Sequence, residues 1–260
     1  MINISKKNLI LIVLITLILV IILILFLRKK PALEVHKVPV SFKGKIAIVI
    51  DDWGYNLNNM PIVERIKYPF TASILPNLKS SKEAAYRLHA AGFEVILHLP
   101  MEPKEKYGLE KNTITTSTDK ETIDKIINAD LSSIVYAKGI SNHMGSRVTE
   151  DNRTMTLVLK ELKIKHLYFL DSFVTPRSVC RDVAGKIGVP FAKRDIFLDN
   201  KVEKTYIKQQ INKLKSSARR KGWAIGIGHD RKVTLETLKE EMPALTKEGY
   251  KLVFVSELVN

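Results

Sequence analysis

One cysteine in 260 residues, Cys180, is too few to close an intrachain disulfide or to build a thiolate zinc cluster from this chain alone. Any metal held here must take histidine and carboxylate ligands. No Cys-His motif surrounds Cys180, which reads as a small packed hydrophobe. The missing disulfides assign no compartment, because a domain of this size can fold outside the cytosol without them. Acidic residues are also few: 27 Asp and Glu stand against 42 Lys and Arg, a formal charge of +15. Five of those charges (Lys6, Lys7, Arg28, Lys29, Lys30) flank an apolar segment and leave +10 on the remainder. Such an excess suits lipid headgroups, acidic envelope polymers or other anionic surroundings, or is simply a lysine-rich solvated surface. No DNA- or RNA-binding signature accompanies it, so nucleic acid is not an expected partner.

What is present begins with one long apolar run, Leu9 to Leu27, broken only by Thr16. At about 1.5 Å per helical residue it reaches across most of a bilayer core. A cleavable signal has a shorter apolar stretch ending in small residues, whereas this run meets Arg28-Lys29-Lys30 and Pro31 directly, which predicts an uncleaved signal anchor. Basic residues stand on both sides, so charge does not choose the orientation. The expected organisation is a membrane anchor over 1–30, a linker over 31–43 and one domain over 44–260. Once the anchor is set aside about 230 residues remain, enough for one α/β barrel and short for two domains. With 45% apolar and 27% charged residues the chain has material for a core and no signature of wholesale disorder.

Eight short apolar runs read as strands: Ile46 to Ile50, Phe70 to Leu75, Val95 to His98, Gly139 to Asn142, Leu167 to Asp171, Val189 to Ala192, Ala224 to Gly228 and Leu252 to Val255. Amphipathic helical stretches lie between them: Ser80 to Ala91, Thr118 to Ala129, Asn152 to Leu162, Arg177 to Lys186, Val202 to Lys221 and Thr234 to Thr246. Thr118 with Glu121 has the spacing of a capping box, and Gly92 follows its helix as a C-terminal cap. Strict strand and helix alternation implies a parallel sheet, wound open or closed as a barrel.

Polar residues sit at the ends of those strand runs: Asp51-Asp52, His98, Asn142-His143, Asp171-Ser172 and His229. In parallel β/α folds the strand C-termini converge on one face, so these five places are expected to meet in one cleft. Adjacent carboxylates repel unless a cation or proton intervenes; a divalent metal on one Asp would leave the other as a base, although an Asp-Asp pair also caps helices or solvates turns. His98 alone reads as a hydrogen-bonded core histidine. Together with His143 and an Asp it makes the two-histidine, one-carboxylate set that suits zinc, iron or related metals. His229 follows Gly226 and Gly228, which are expected to remove bulk beside the cleft, and can serve as a fourth ligand or a general acid. His36, His89 and His166 are assigned no chemistry.

Read in order, Ile48-Val-Ile-Asp-Asp-Trp-Gly54, His98-Leu-Pro-Met-Glu-Pro103, Asn142-His-Met-Gly-Ser146, Phe169-Leu-Asp-Ser172, Arg194-Asp-Ile-Phe-Leu-Asp-Asn200 and Ile225-Gly-Ile-Gly-His229 resemble the divergent polysaccharide deacetylase family, related to the NodB-like polysaccharide deacetylases. The likeness runs from about Gly44 to the C-terminus. It implies a deformed (β/α) barrel of about seven strands and metal-dependent hydrolysis of acetylated sugars, with a divalent metal, zinc by expectation. By the same resemblance Asp51 matches the catalytic base, Asp52 the metal-binding aspartate, His98 the first metal histidine and His229 the late histidine that acts as acid. Other polysaccharide deacetylases carry a second metal histidine four residues after the first, where this chain has Glu102. His143 on the next strand can replace it, as can Glu102, and the expected metal set is Asp52, His98 and His143. The family's Arg-x-Pro motif has no counterpart near Asn142, and Arg194 is the candidate for the missing positive group, with Asp171 as a further supporting residue. An envelope polysaccharide is the expected partner, with the membrane reached through the N-terminal helix. Such a substrate implies an extracytoplasmic domain in a single-pass protein. The alternative is a noncatalytic envelope polysaccharide-binding protein with a vestigial metal site.

Overall fold

The computed structural model describes residues 5–27, 41–106 and 108–260, and the chain divides into two units, Met1–Pro39 and Val40–Asn260. Arg28, Lys29, Lys30, Pro31, His36 and the linker up to position 40 lie outside the described residues. In the first unit, α1 (Lys6–Leu27) is long and apolar enough to cross a membrane. Its 22 residues span roughly 33 Å at 1.5 Å each. Thr16 satisfies its hydroxyl inside the helix by donating to the Ile12 and Val13 carbonyls, at 3.0 and 2.9 Å, so the one polar side chain of the run leaves no unpaired donor.

The second unit is a parallel sheet with helices on its outside. Its strands are β1 (Gly44–Trp53), β2 (Thr71–Ile74), β3 (Glu94–Met101), β4 (Gly139–Met144), β5 (Tyr168–Asp171), β6 (Phe191–Lys193), β7 (Ile196–Phe197), β8 (Trp223–His229) and β9 (Tyr250–Val253). They pair in the order β6-β5-β4-β3-β2-β1-β8-β7, with β9 added on β1. β1 is central because it serves three partners: β8 runs beside Lys45 to Asp51, while β9 takes Gly44 to Ala47 and β2 takes Val49 to Trp53. The helices are α2 (Met60–Val63), α3 (Ser81–Ala90), α4 (Lys120–Ser133), α5 (Asn152–Ile164), α6 (Cys180–Ile187), α7 (Lys204–Lys221) and α8 (Lys232–Lys247). The sheet curls into a half-barrel, and among the described residues no pairing joins its edges β6 and β7.

This is the expected deformed barrel, with nine strands where the resemblance implies about seven and the sequence shows eight runs. The ninth, β7, is two residues long, below the length at which alternation can be read. β3 continues past His98 through Pro100, because β2 pairs with it only as far as Leu97 and asks nothing of the missing Pro100 N–H. α4 starts differently from the expectation: Asp119 is its cap, accepting from the Thr122 N–H at 2.8 Å. Thr118 instead accepts from the Thr115 N–H in the preceding turn, at 2.9 Å, so the capping box with Glu121 does not form. Gly92 closes α3 as expected. At φ +87° it lets its own N–H and that of Phe93 reach the His89 and Leu88 carbonyls, the paired bonds of a left-handed helix stop. Cys180 is fully buried in the outer core.

Candidate active site

Side-chain alternation along the strands decides which residues meet. Ala47 and Val49 of β1, Ile96 of β3, Leu170 of β5 and Ile225 and Ile227 of β8 share one small cluster inside the curl. Ile46, Ile48 and Ile50 face the other way, into the larger core under the helices, where each buried side chain contributes roughly 1.5–3 kcal/mol. Successive strand residues point to opposite faces. The next inward position after Val49 is therefore Asp51, after Ile96 it is His98, and after Ile227 it is His229. On β4, Ile140 belongs to the outer core, so Ser141 and His143 face inward. Apolar columns fill the barrel, and their last member at the strand C-termini is polar.

Asp52 has the wrong parity for this cleft and reaches it through a backbone irregularity. The pairing of β1 with β2 shifts register between Ile50 and Trp53, and Asp52 takes φ +67°. A bulge re-aims a side chain in this way, and aspartate is one of the few non-glycine residues that adopts the left-handed conformation readily. The following Gly54 stands at φ +122° where a Cβ would come within 2.9 Å of the Ser81 hydroxyl, so the turn after the acidic pair needs glycine.

The cleft, about 200 Å³, is lined by Asp51, Asp52, His98, His143, Phe197 and His229 among others. Asp52 Oδ1 lies 3.2 Å from His143 Nδ1 and 3.4 Å from His98 Nε2. One ligand atom from each of these three residues falls within 4.8 Å of the other two. Asp52 Oδ1 is nevertheless buried without a hydrogen-bond partner, as are His143 Nε2 and Asp51 Oδ1. Buried polar atoms of native proteins are almost always paired. Three orphans in one cleft, on His143 and the two carboxylates, beside a donor group of two imidazoles and a carboxylate, fit a divalent cation. Burial pushes the Asp52 carboxyl up, but the neighbouring His143 and His98 outweigh it and hold the group well below the usual carboxylate range.

A buried hydroxyl pair backs His98. Ser141 Oγ lies 2.8 Å from His98 Nδ1 and 2.7 Å from Ser73 Oγ. A His98 that offers Nε2 to a cation keeps its proton on Nδ1 and donates it to Ser141, which then donates to Ser73. His98 Nε2 then carries the lone pair, and it is the nitrogen facing Asp51 at 3.7 Å and Asp52 at 3.4 Å. Second-shell partners of metal-binding histidines fix the ring in this manner. Asp51 itself is 2% exposed. Burial raises its pKa and the Asp52 charge adds to that, while His98 opposes both.

His229 closes the other side of the cleft. Its Nδ1 lies 2.7 Å from Asp199 Oδ1, and its backbone N–H donates to Asp199 Oδ2 at 2.9 Å. Asp199 is fully buried and also accepts from the Thr234 hydroxyl at 2.7 Å. Burial lowers the His229 pKa, but the hydrogen bond and charge of Asp199 overcome it and the net shift is upward. Burial likewise raises Asp199, and the bond from His229 brings it below its ordinary value. Asp199 was within a motif read from the sequence, yet no role was attached to it; a carboxylate two residues past a two-residue strand gives no periodic signal. Phe197 stacks on the His229 ring, centroids 5.8 Å apart, and carries the Arg194 guanidinium 3.5 Å above its own centroid.

The remaining expected residues do other work. Glu102 accepts at Oε2 from the Thr116 N–H at 3.0 Å and pairs at Oε1 with Arg147 at 3.1 Å, outside the ligand group. Asp171 turns into its own loop, accepting from the Phe173 N–H at 2.7 Å and the Ser178 hydroxyl at 2.6 Å. Arg194 donates to the Ser172 and Phe173 carbonyls at 2.6 and 2.7 Å, pinning the loop that borders the cleft; burial lowers its pKa to about 10. Gly226 and Gly228 face outward rather than beside the cleft. A Cβ on Gly226 would meet Leu214 at 2.8 Å, and one on Gly228 would meet Thr234 at 2.9 Å and Asp199 at 3.6 Å. The glycines make room for α7 and for Asp199.

Residues 48–259 match the model of the divergent polysaccharide deacetylase family. An uncharacterised protein of Escherichia coli, YibQ, is 37% identical over 217 residues, 84% of this chain and 68% of its own. The crystal structure of an uncharacterised Agrobacterium tumefaciens protein superimposes with TM-score 0.80 at 22% identity, covering 84% of this chain and 90% of that one. A CE4 family pseudoenzyme from Bacillus anthracis shares the fold at TM-score 0.54 and 14% identity, over 84% of this chain and 66% of that one. The curled parallel sheet, the strand-end cleft and the family match over most of the described domain lead to one statement: this chain is a member of the divergent polysaccharide deacetylase family.

Proposed function

We propose that the protein is a metal-dependent hydrolase that removes acetyl groups from an envelope polysaccharide. The observation that carries the reading is the close-set Asp52, His98 and His143 ligand group, in which Asp52 Oδ1 and His143 Nε2 are buried without a partner, with Asp51 and His229 lining the same cleft. Asp52, His98 and His143 would hold a divalent ion, zinc by the family resemblance, which would supply Lewis-acid charge to polarise a carbonyl. Asp51 accepts the proton of the attacking water, a role served by a carboxylate whose pKa burial raises. His229, whose pKa Asp199 raises, stands across the cleft to protonate the departing sugar nitrogen. The products are acetate and a free amine. α1 serves as the membrane anchor, with the domain outside the cytosol where such polymers lie. A reporter fused after Asn260 should then work only outside, and one active only in the cytosol would contradict that topology.

The test is metal content and acetate release measured on the same samples of the full chain. The wild type should hold about one zinc, His98→Ala should lose it, and acetylated chitin or peptidoglycan should release acetate only with the metal-loaded wild type. Full metal retention by His98→Ala together with no acetate release would overturn the reading.

A second reading, a noncatalytic envelope polysaccharide-binding protein, is favoured by one observation. Arg194, the candidate for the positive group of the absent Arg-x-Pro motif, is bonded to loop carbonyls, and a pseudoenzyme shares the fold. Glycan binding that survives Asp51→Asn and His229→Ala, with no turnover by the wild type, would favour it.

A further inference from the structure

The opposite end of the half-barrel holds a second built cavity. It lies where β3, β4 and β5 begin: Glu94 and Val95 open β3, Lys138 precedes β4 and Tyr168 opens β5. Parallel pairing puts all strand starts at one mouth, so this cavity and the Asp51–His229 cleft lie at opposite ends of the curl. Its volume is about 430 Å³, within the range of roughly 300–1,000 Å³ common to ligand sites.

Its floor is a carboxylate. Glu94 is 8% exposed, and three donors converge on its Oε1: the Thr71 hydroxyl at 2.8 Å, the Tyr168 phenol at 2.9 Å and the Ser256 N–H at 3.3 Å. Among the described residues none engages Oε2, which is not sealed from the cavity that Glu94 lines. Burial and the Glu94 charge push the Tyr168 phenol well above its ordinary pKa, so it remains a donor. Its ring lies across β4 only because residue 139 is glycine, where a Cβ would come within 2.5 Å of it. The walls are aromatic: His89 and Tyr136 stack with centroids 4.1 Å apart, and Phe93 and Phe254 face the same space. Lys138 stands exposed at the rim without an ion-pair partner among the described residues. Beyond Phe93 and Phe254, which line both, a second compartment of about 440 Å³ extends past Tyr68.

Aromatic faces with one free carboxylate oxygen and the Lys138 ammonium in the first compartment, and Lys67 and Glu64 lining the second, select among ligand classes. A purely apolar ligand would bury Oε2 unpaired, at a cost of about 1–3 kcal/mol. A cationic ligand would meet Lys138, and a polyanion would meet Glu94. A pyranose offers an apolar C–H face for stacking together with hydroxyls that both donate and accept. We propose that this two-compartment groove is a second glycan-binding site, taking successive pyranose units of a polysaccharide, with Glu94 Oε2 and Lys138 bonding ring hydroxyls and Phe93 and Phe254 between the units. The inference rests on the reading above for the polymeric nature of the ligand and needs no catalysis at the cleft. The site tethers a long chain whose other segment occupies the opposite mouth.

The test uses the full chain in detergent, carrying Asp51→Asn to prevent turnover and titrated calorimetrically with chitohexaose, a β-1,4 hexamer of N-acetylglucosamine. Two sites per chain are expected. Adding His89→Ala and Lys138→Ala, both at exposed side chains that spare the fold, should reduce the count to one or weaken one site at least tenfold. On the wild-type background the same pair should leave turnover of a disaccharide unchanged and raise KM for the hexamer. Binding of the hexamer that is indifferent to the pair, whether at one site or two, or no binding at all, would overturn the proposal, whereas a single site lost with the pair would uphold it and leave the cleft unoccupied. Two-site binding without acetate release from the wild type would uphold the second site while contradicting the hydrolase reading.

Discussion

At the scale of single residues, the cleft is governed by groups that act through a neighbour. Asp199 raises the His229 pKa against the effect of burial, and the proposed acid role needs that histidine protonated. The alkaline limb of kcat/KM should therefore fall above the ordinary imidazole value, near 6.5. In Asp199→Asn, burial is opposed only by the Asp52 and Asp51 charges and the limb should move to lower pH, with turnover reduced by roughly 10²–10⁴; an unmoved limb would show that Asp199 does not set the proton. The same pair bears on stability with a definite sign. The raised His229 contributes below its unfolded pKa and its contribution is lost as pH rises through the folded value, while the depressed Asp199 contributes above its unfolded pKa and is lost as pH falls through its own. Their joint contribution is greatest between the two. Ser141 is the other indirect residue. Ser141→Ala frees the His98 tautomer and should weaken zinc about 10–100-fold by competition titration, with the fold intact.

Elements explain how much of this could be read beforehand. Strand runs ending in polar residues were visible, because alternation and the sudden charge after Ile50, Leu97 and Gly228 are properties of the sequence itself. Convergence of Asp51, His98, His143 and His229 followed from parallel topology alone. The bulge that turns Asp52 inward was not legible, since a register shift depends on where β2 pairs, not on the residues of β1. The choice between His143 and Glu102 was also closed to the sequence. It required knowing that Thr116 and Arg147, from other segments, occupy the Glu102 carboxylate. The outward parity of Gly226 and Gly228 was already in the sequence, since alternation from His229 puts both on the opposite face. The corrected face carries its own prediction: Gly228→Ala puts a methyl 2.9 Å from Thr234 and 3.6 Å from Asp199. It should destabilise the fold by about 1–3 kcal/mol in denaturant titration and shift the His229 limb in the direction of Asp199→Asn.

For the whole molecule, the half-barrel separates two tasks. Apolar columns fill its interior, and one mouth gathers titratable groups around a ligand set that the protein alone leaves unpaired. A cation bound there stabilises the folded state by mass action, about 2.7 kcal/mol at a hundredfold excess over Kd. Zinc should raise Tm in the wild type and chelator should reverse it, with no response in His143→Ala; equal zinc responses in both would place the metal elsewhere. The central claim, that this cleft hydrolyses an acetylated glycan, is tested most directly by acetate release. Zinc-loaded wild type and Asp51→Asn, matched for metal content, are incubated with acetylated chitin oligomer and peptidoglycan. The account predicts acetate from the wild type and a loss of at least a hundredfold in Asp51→Asn, whereas equal release by both, or none from a fully loaded wild type, would contradict it.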